Sequence, residues 1–138
     1  MKRRAVAATV VLTLLVGAAG ATRGAAARAT DGEVRITIHY SRFEPAEIAV
    51  EPGETVRFVI VNTDPIDHEF ILGDAEVQRI HEEGTEAHHS PRPGEVSVPA
   101  GETVVTTYTF PEIRDSLIFG CHLPGHYDFG MRGTVAVG

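Results

Sequence analysis

The residues best suited to metal chemistry lie close together near the end of the chain, between Cys121 and Met131. Four residues separate the Cys121 thiol from the His126 imidazole, and four more separate His126 from the Met131 thioether. Sulfur ligands combined with imidazole select copper, and a plane of two histidines and one cysteine with a weak axial methionine is the blue-copper arrangement. That plane needs a second histidine, and His68, at the start of a predicted strand, can supply it.

Cys121 is the only cysteine among the 138 residues of the chain. A single thiol excludes internal disulfides, and a lone thiol in an oxidising compartment is a liability unless something occupies it. Each residue also has a purely structural alternative. Cys121 could be an inert buried thiol, Met131 could fill a core gap, and the histidines could be ordinary loop or strand residues. Their combination in one pattern favours a metal centre.

A second, weaker metal site is conceivable in a polar segment in the middle of the chain. Imidazoles and carboxylates there could bind Cu(II) or Zn(II), although a solvated polar loop is the simpler interpretation. The side chains concerned are His81, His88 and His89, with Glu82, Glu83 and Glu86 beside them. Of the other histidines, His122 has the opposite strand parity from Cys121, so we expect both it and His39 to face solvent.

Short strands must position these residues, and turn residues separate the strands. Alternating apolar residues predict a half-buried strand at 34–38, and apolar residues on both faces of 55–62 predict a central strand. Pro45 places the 43–50 stretch at an edge or bend. Further strands are predicted at 68–72, 95–98, 102–110, 116–121 and 133–137.

One short helix is predicted at 74–83, capped near Asp74. About eight short strands with this helix-bearing insertion predict an all-β fold, an antiparallel β-sandwich. Leu117, Phe119 and Cys121 share one face of their strand, so the thiol should point inward from the end of a core strand.

The copper pattern resembles a known family. The motif C-x-x-P-G-H-x-x-x-x-M, preceded by a D-H-E-F strand, is similar to the copper loops of rusticyanin-like and other bacterial cupredoxins. The resemblance implies a Greek-key β-sandwich with one type 1 copper ion. It implies that His68, Cys121 and His126 bind this ion equatorially and that Met131 binds it axially.

The residue after the first histidine departs from one branch of that family. Many electron-carrying cupredoxins have an asparagine there, which bonds across to the cysteine loop. Glu69 occupies the position in this chain. His68, Glu69 and Phe70 together look more like bacterial cupredoxins linked to copper handling, and we expect the Glu69 side chain to face away from the ion.

The first 29 residues have the layout of a secretory signal peptide. Three basic residues at 2–4 precede an uncharged stretch at 5–21, and an A-x-A pattern ends at Ala29. We therefore expect a signal peptide at 1–29 and one domain at 30–138, in a protein exported to the periplasm or the cell exterior. An uncleaved leader that anchors the protein in a membrane is the alternative.

The expected mature domain is strongly acidic, with nineteen acidic residues against seven arginines and a formal charge of −12. Nucleic acid is therefore an unsuitable partner, because binding it requires clustered positive charge. We expect instead a redox protein or a copper acceptor with a basic docking patch.

Two functions suit a copper site in a small exported domain. The first is one-electron transfer, in which the ion cycles between Cu(I) and Cu(II). The alternative is copper binding, buffering or delivery in copper homeostasis or resistance, which Glu69 and the histidine-bearing insertion favour. Multicopper oxidases and nitrite reductases need a second copper centre, so we expect no catalytic activity from one domain with one cysteine.

Overall fold

The computed structural model describes residues 25–84 and 90–138. Within these ranges the chain forms two sheets and one helix, α1 (Ala75–Gly84). The strands are β1 (Ala27–Arg28), β2 (Glu33–Ile38), β3 (Phe43–Glu44), β4 (Glu47–Val50), β5 (Thr55–Asn62), β6 (His68–Gly73), β7 (Glu95–Val98), β8 (Thr103–Thr109), β9 (Asp115–Gly120) and β10 (Arg132–Val137). One sheet has the order β1-β4-β10-β9-β6-β7, and the other has the order β3-β2-β5-β8.

The core lies between the two sheets and is built around phenylalanine rings. The Phe119 ring lies 5.3 Å from that of Phe43 and 5.4 Å from that of Phe70, centroid to centroid, and Phe70 lies 5.4 Å from Phe58. All four side chains are buried. Burying a side chain of this size stabilises the fold by about 1.5–3 kcal/mol, so the sandwich is a close-packed frame for the loops at its ends.

The predicted strands are confirmed, and outside the 43–50 stretch their ends differ by at most a residue from those predicted. β5 lies between β2 and β8, which explains why both of its faces are apolar. Pro45 lies between β3 and β4, where the chain passes from the four-stranded to the six-stranded sheet. The bend predicted at this proline is therefore confirmed.

The sandwich is not antiparallel throughout. β2 pairs in parallel with β5, and β4 pairs in parallel with both β10 and β1. The prediction of an antiparallel sandwich is wrong at these pairs because residue alternation shows which face of a strand is buried, and not the direction of its neighbour. The all-β sandwich with a short helix-bearing insertion is confirmed.

Helix α1 begins where the sequence predicts. Asp74 Oδ1 accepts hydrogen bonds from the backbone N–H groups of Glu76 at 3.0 Å and Val77 at 2.9 Å. These donors have no acceptor inside the helix, so Asp74 is its N-cap. The helix joins β6 to β7 and packs against β6 and β9, the two strands at whose ends His68 and Cys121 lie.

Most of the predicted signal peptide lies outside the described residues. The part that is described includes β1, whose two residues pair with Ile48 and Ala49 of β4. Cleavage after residue 29 stays a prediction. In the part of the chain that the structure describes, no helix has the length and apolar character required to span a membrane.

Candidate metal centre

Three predicted ligands converge at one end of the sandwich. Cys121 Sγ lies 3.3 Å from His126 Nδ1, and His68 Nδ1 also lies 3.3 Å from His126 Nδ1. One atom from each of the three side chains lies within 4.8 Å of the others. His68 and Cys121 are fully buried, whereas His126 is only partly buried. The arrangement therefore has two enclosed ligands and one that reaches towards the surface.

Strand pairing brings these residues together. β6 and β9 are antiparallel neighbours, with Ile71 opposite Gly120. The start of β6 and the end of β9 therefore lie at the same end of the sheet, which places His68 beside Cys121 although 52 residues separate them in the sequence. The inward direction predicted for the Cys121 thiol is confirmed by its burial.

Hydrogen bonds of the main chain fix the loop that carries His126. The His126 N–H donates to the Leu123 carbonyl at 2.9 Å, and Gly125 has a φ of +82° that favours glycine. The Met131 N–H donates to the His126 carbonyl at 2.9 Å, and the Cys121 N–H donates to the Met131 carbonyl at 3.1 Å. Met131 is thus tied to both loop ligands and is fully buried. Its role as the axial ligand stays a prediction.

Asp64 is a functional residue that the sequence analysis missed. Its Oδ2 accepts a hydrogen bond from His68 Nε2 at 3.0 Å, which leaves Nδ1 directed at the other ligands. The carboxylate also accepts hydrogen bonds from the backbone N–H groups of Tyr40 and Ser41, each at 2.7 Å. Carboxylates that orient a metal-binding histidine in this way fix its tautomer. An aspartate four residues before a candidate ligand was the available signal.

The two imidazoles favour their neutral forms. Burial lowers the pKa of His68, and this effect outweighs the opposing effect of the hydrogen bond that His68 donates to Asp64. Burial also lowers the pKa of His126, and the neighbouring His68 lowers it further. Metal ions bind the neutral imidazole, so both residues are prepared for coordination near neutral pH. Burial raises the pKa of Asp64, but hydrogen bonds from Ser41, Tyr40 and His68 reverse the shift, so its net pKa is lowered and it stays ionised.

The Cys121 thiol lies in an enclosed environment with backbone donors. Burial raises its pKa to about 11, and the nearby Glu69 charge acts in the same direction. The backbone N–H groups of Leu123 and Glu69 oppose this effect, and the Glu69 N–H lies 3.3 Å from Sγ. These donors are directed at the sulfur, where the negative charge of a metal-bound thiolate would lie.

Glu69 and His122 are both buried beside the cysteine loop. Glu69 is fully buried, and its Oε2 accepts a hydrogen bond from the His122 N–H at 3.3 Å, so its side chain lies against the cysteine loop. The expectation that His122 faces solvent is wrong, since it is 5% exposed. Helix α1 covers that face of β9, and parity along one strand could not reveal this cover. The predicted surface position of His39 is confirmed.

The proposed second metal site is only partly described. His88 and His89 lie outside the described residues. His81 is described, and its Nδ1–H donates to the Val77 carbonyl at 2.8 Å while its Nε2 lies 3.2 Å from Glu95 Oε2. Among the described residues, the group formed by His68, Cys121 and His126 is the one in which three potential metal ligands come together.

The donor set fits copper. It offers one thiol and two neutral imidazoles, with a thioether in the adjoining loop, and soft sulfur with imidazole suits copper better than the oxygen-seeking ions magnesium and calcium. Chemically, this arrangement can bind a single soft or borderline ion in an enclosed pocket.

Comparisons with known proteins agree with the fold. A family model described as a cupredoxin-like domain matches residues 6–90, a match that ends before Cys121. The chain is 41% identical to the copper-resistant cuproprotein CopI of Rubrivivax gelatinosus over 70% of this chain and 59% of that protein. It is 29% identical to the CopI of Pseudomonas aeruginosa over 95% of this chain and 94% of that protein.

Among solved structures, the chain is similar to auracyanin A, a "blue" copper protein from Chloroflexus aurantiacus. The two share 25% sequence identity and a TM-score of 0.60, over 77% of this chain and 98% of that one.

Proposed function

The chain belongs to the cupredoxin-like domain family, and from this premise we propose that it binds one copper ion through His68, Cys121 and His126, with Met131 as the weak axial ligand. We propose further that its function is copper handling, meaning the binding, buffering or delivery of copper in resistance to the metal, outside the cytoplasm. This is a binding function and not a catalytic one.

One observation carries the copper proposal. The Cys121 thiol and the His126 imidazole of one loop meet the distant His68 imidazole within 4.8 Å at one end of the sandwich. The proposal that copper is handled has support from the relatives, because the CopI proteins are named copper-resistant cuproproteins. The similarity to the R. gelatinosus protein spans 59% of that protein's length.

The chain's own residues prepare the site. Bound copper supplies a one-electron couple, and in a handling protein it is also the cargo. Asp64 holds the proton on His68 Nε2 and thereby keeps the Nδ1 lone pair directed at the site. Cys121 must release its proton on binding, and the N–H groups of Glu69 and Leu123 then stabilise the thiolate. Burial of His68 and Cys121 excludes water from two of the three ligands.

Access to the site is expected on the His126 side. His126 is the one partly exposed member of the group, and the nearby Phe129 ring is 78% exposed. An acceptor protein would approach this apolar end, and the acidic surface elsewhere would attract a partner with a basic patch.

Electron transfer is the second candidate, and the exposure of His126 is the observation that favours it. A partly exposed ligand beside an exposed aromatic ring gives a short path for one electron to a docked redox protein. The same surface serves copper transfer, so rates must distinguish the two functions. Fast electron self-exchange would favour the carrier. Slow self-exchange together with copper transfer to an apo-acceptor would favour handling.

Copper loading and a growth assay test the proposal. The purified protein should bind one equivalent of copper and develop a visible thiolate-to-copper charge-transfer band, which Cys121→Ser should abolish. In cells, deletion of the gene should increase copper sensitivity, and the wild-type chain should restore growth where Cys121→Ser does not. A protein that stays colourless with cupric salt would contradict the copper site. Unchanged copper tolerance after deletion would contradict the handling role alone.

A further inference from the structure

Helix α1 buries a glutamine and leaves an isoleucine in solvent. Gln78 is 4% exposed, whereas Ile80 on the same helix is 53% exposed. A helix that only covered the sheet would be expected to bury its apolar residue. A buried amide is costly unless all of its hydrogen bonds are made, so the position of Gln78 points to a specific polar role.

The Gln78 amide makes hydrogen bonds through both of its donors and its acceptor. Its Nε2 donates to the Ile71 carbonyl at 3.1 Å and to the Ile118 carbonyl at 3.0 Å. Its Oε1 accepts a hydrogen bond from His122 Nε2 at 2.8 Å. Because Nε2 already serves two carbonyl acceptors, the orientation of the amide is fixed, and the oxygen must face His122.

These three partners belong to the segments that carry the predicted ligands. Ile71 lies three residues after His68 on β6, and Ile118 lies three residues before Cys121 on β9. The two strands pair with each other only over 71–73 and 118–120. Gln78 therefore bonds both strands where they meet, immediately before they separate around the site.

The helix also holds the residue that follows Cys121. Glu82, one turn after Gln78, places its Oε2 2.7 Å from His122 Nδ1, so helix side chains contact both nitrogens of this ring. The ring stacks on Tyr127 with centroids 4.6 Å apart and an interplanar angle of 17°. His122 directly follows Cys121 and Tyr127 directly follows His126. The His122 ring therefore connects the helix to the residues next to both of these predicted ligands.

We propose that Gln78 is a positioning residue for the metal centre: it holds the Cys121 segment in register with the His68 strand. Glu82 assists it through its contact with His122. This inference rests on the proposed copper function. Helix α1 is then part of the metal centre, although it supplies no ligand.

Two substitutions at neighbouring positions separate positioning from general stability. Gln78→Met keeps the length and approximate volume of the side chain but removes all three hydrogen bonds. Arg79→Met places the same residue next to it, where it removes the exposed ion pairs to Glu76 and Glu83. Only the first change removes hydrogen bonds to the ligand strands, whereas the second removes ion pairs within the helix.

The copper-loaded protein gives the first readout. For Gln78→Met we expect a shifted or weakened charge-transfer band, altered Cu(II) hyperfine splitting and copper affinity reduced by about tenfold. This is the lower end of the range for groups bonded directly to a ligand, because Gln78 acts on the ligands through the strands and His122. Arg79→Met should match the parent in all three. The inference is wrong if both variants match the parent spectrum and affinity, or if both change them equally.

The copper-free protein gives a second readout, which does not depend on the proposed function. The amide protons of Cys121 and His122 should exchange with solvent faster in Gln78→Met than in Arg79→Met. If the parent binds no copper, the proposed function fails, and this comparison still decides whether Gln78 orders the Cys121 segment. Equal exchange in the two variants would overturn the inference.

A milder pair of variants covers the case in which Gln78→Met does not fold. Glu82 is half exposed, so Glu82→Ala should fold normally while it removes one contact to His122. We expect a smaller band shift in the same sense, and Glu82→Gln, which retains an acceptor, should restore the parent spectrum. Parent-like behaviour of Glu82→Ala would count against the inference.

Discussion

Replacement of Asp64 by asparagine should weaken copper binding without changing a single ligand. The carboxylate accepts from the Tyr40 N–H at Oδ1 and from the Ser41 N–H and His68 Nε2 at Oδ2. Asparagine has nearly the same shape, but it offers one oxygen and an NH₂ group. If the oxygen stays with Ser41 and His68, the NH₂ group faces the Tyr40 N–H, and two donors oppose each other.

The size of the effect follows from the two roles of this carboxylate. Hydrogen bonds to a charged group contribute about 1.5–3 kcal/mol each when buried, and the Asp64 side chain is 7% exposed. Partners that orient a metal-binding histidine contribute about 10–100-fold in metal affinity. We therefore expect Asp64→Asn to raise the copper Kd by about tenfold or more and to lower the unfolding free energy of the copper-free protein by about 1–3 kcal/mol.

Competition titration with a chelator of known affinity measures the Kd, and chemical unfolding measures the stability. Asp67→Asn is the matched control. It removes the same charge one residue before His68, at a carboxylate that accepts from the Ala100 N–H at 2.9 Å. We expect its Kd to stay within about threefold of the parent, since the Asp67 carboxylate is partly exposed and a solvent-screened charge contributes less than about 1 kcal/mol. Parent affinity in Asp64→Asn, or an equal loss in Asp67→Asn, would refute the reasoning.

Three further outcomes follow from the same geometry. Cys121→Ser should lose the intense visible band whichever function holds, because the thiolate is its source; a retained band would exclude Cys121 as the ligand. Met131→Leu should keep the band and raise the reduction potential, as measured by voltammetry, and parent values for both would mean that Met131 is not the axial ligand. Gly133→Ala should lower the unfolding free energy by about 1–3 kcal/mol or more, because the new Cβ would overlap the Phe119 ring and lie 2.5 Å from the Ala46 carbonyl oxygen; thermal unfolding at the parent midpoint would contradict this.

Much of the fold could be predicted because its causes are local. The apolar residues on both faces of β5 require a buried position in the middle of a sheet, and this is where it lies. Pro45 interrupts an extended stretch, and the chain changes sheets there. The direction of neighbouring strands is a property of the whole chain path. The parallel pairing of β4 with β10 therefore left no trace in the pattern of either strand.

The ligands of the candidate metal centre could be predicted from the sequence, but the residues that support them could not. Copper favours thiol, imidazole and thioether ligands, which come from residue types rare enough that their spacing in the sequence is informative. Asp64 and Gln78 are common residue types, and what they do depends on which groups lie opposite them in the folded chain. His122 illustrates the point most directly. Strand parity placed His122 on the face opposite to Cys121 and therefore in solvent. In the structure helix α1 covers that face, so the His122 ring is buried against Gln78. Ligands can thus be read from residue types, whereas the groups that hold them in place follow only from the packing of one element on another.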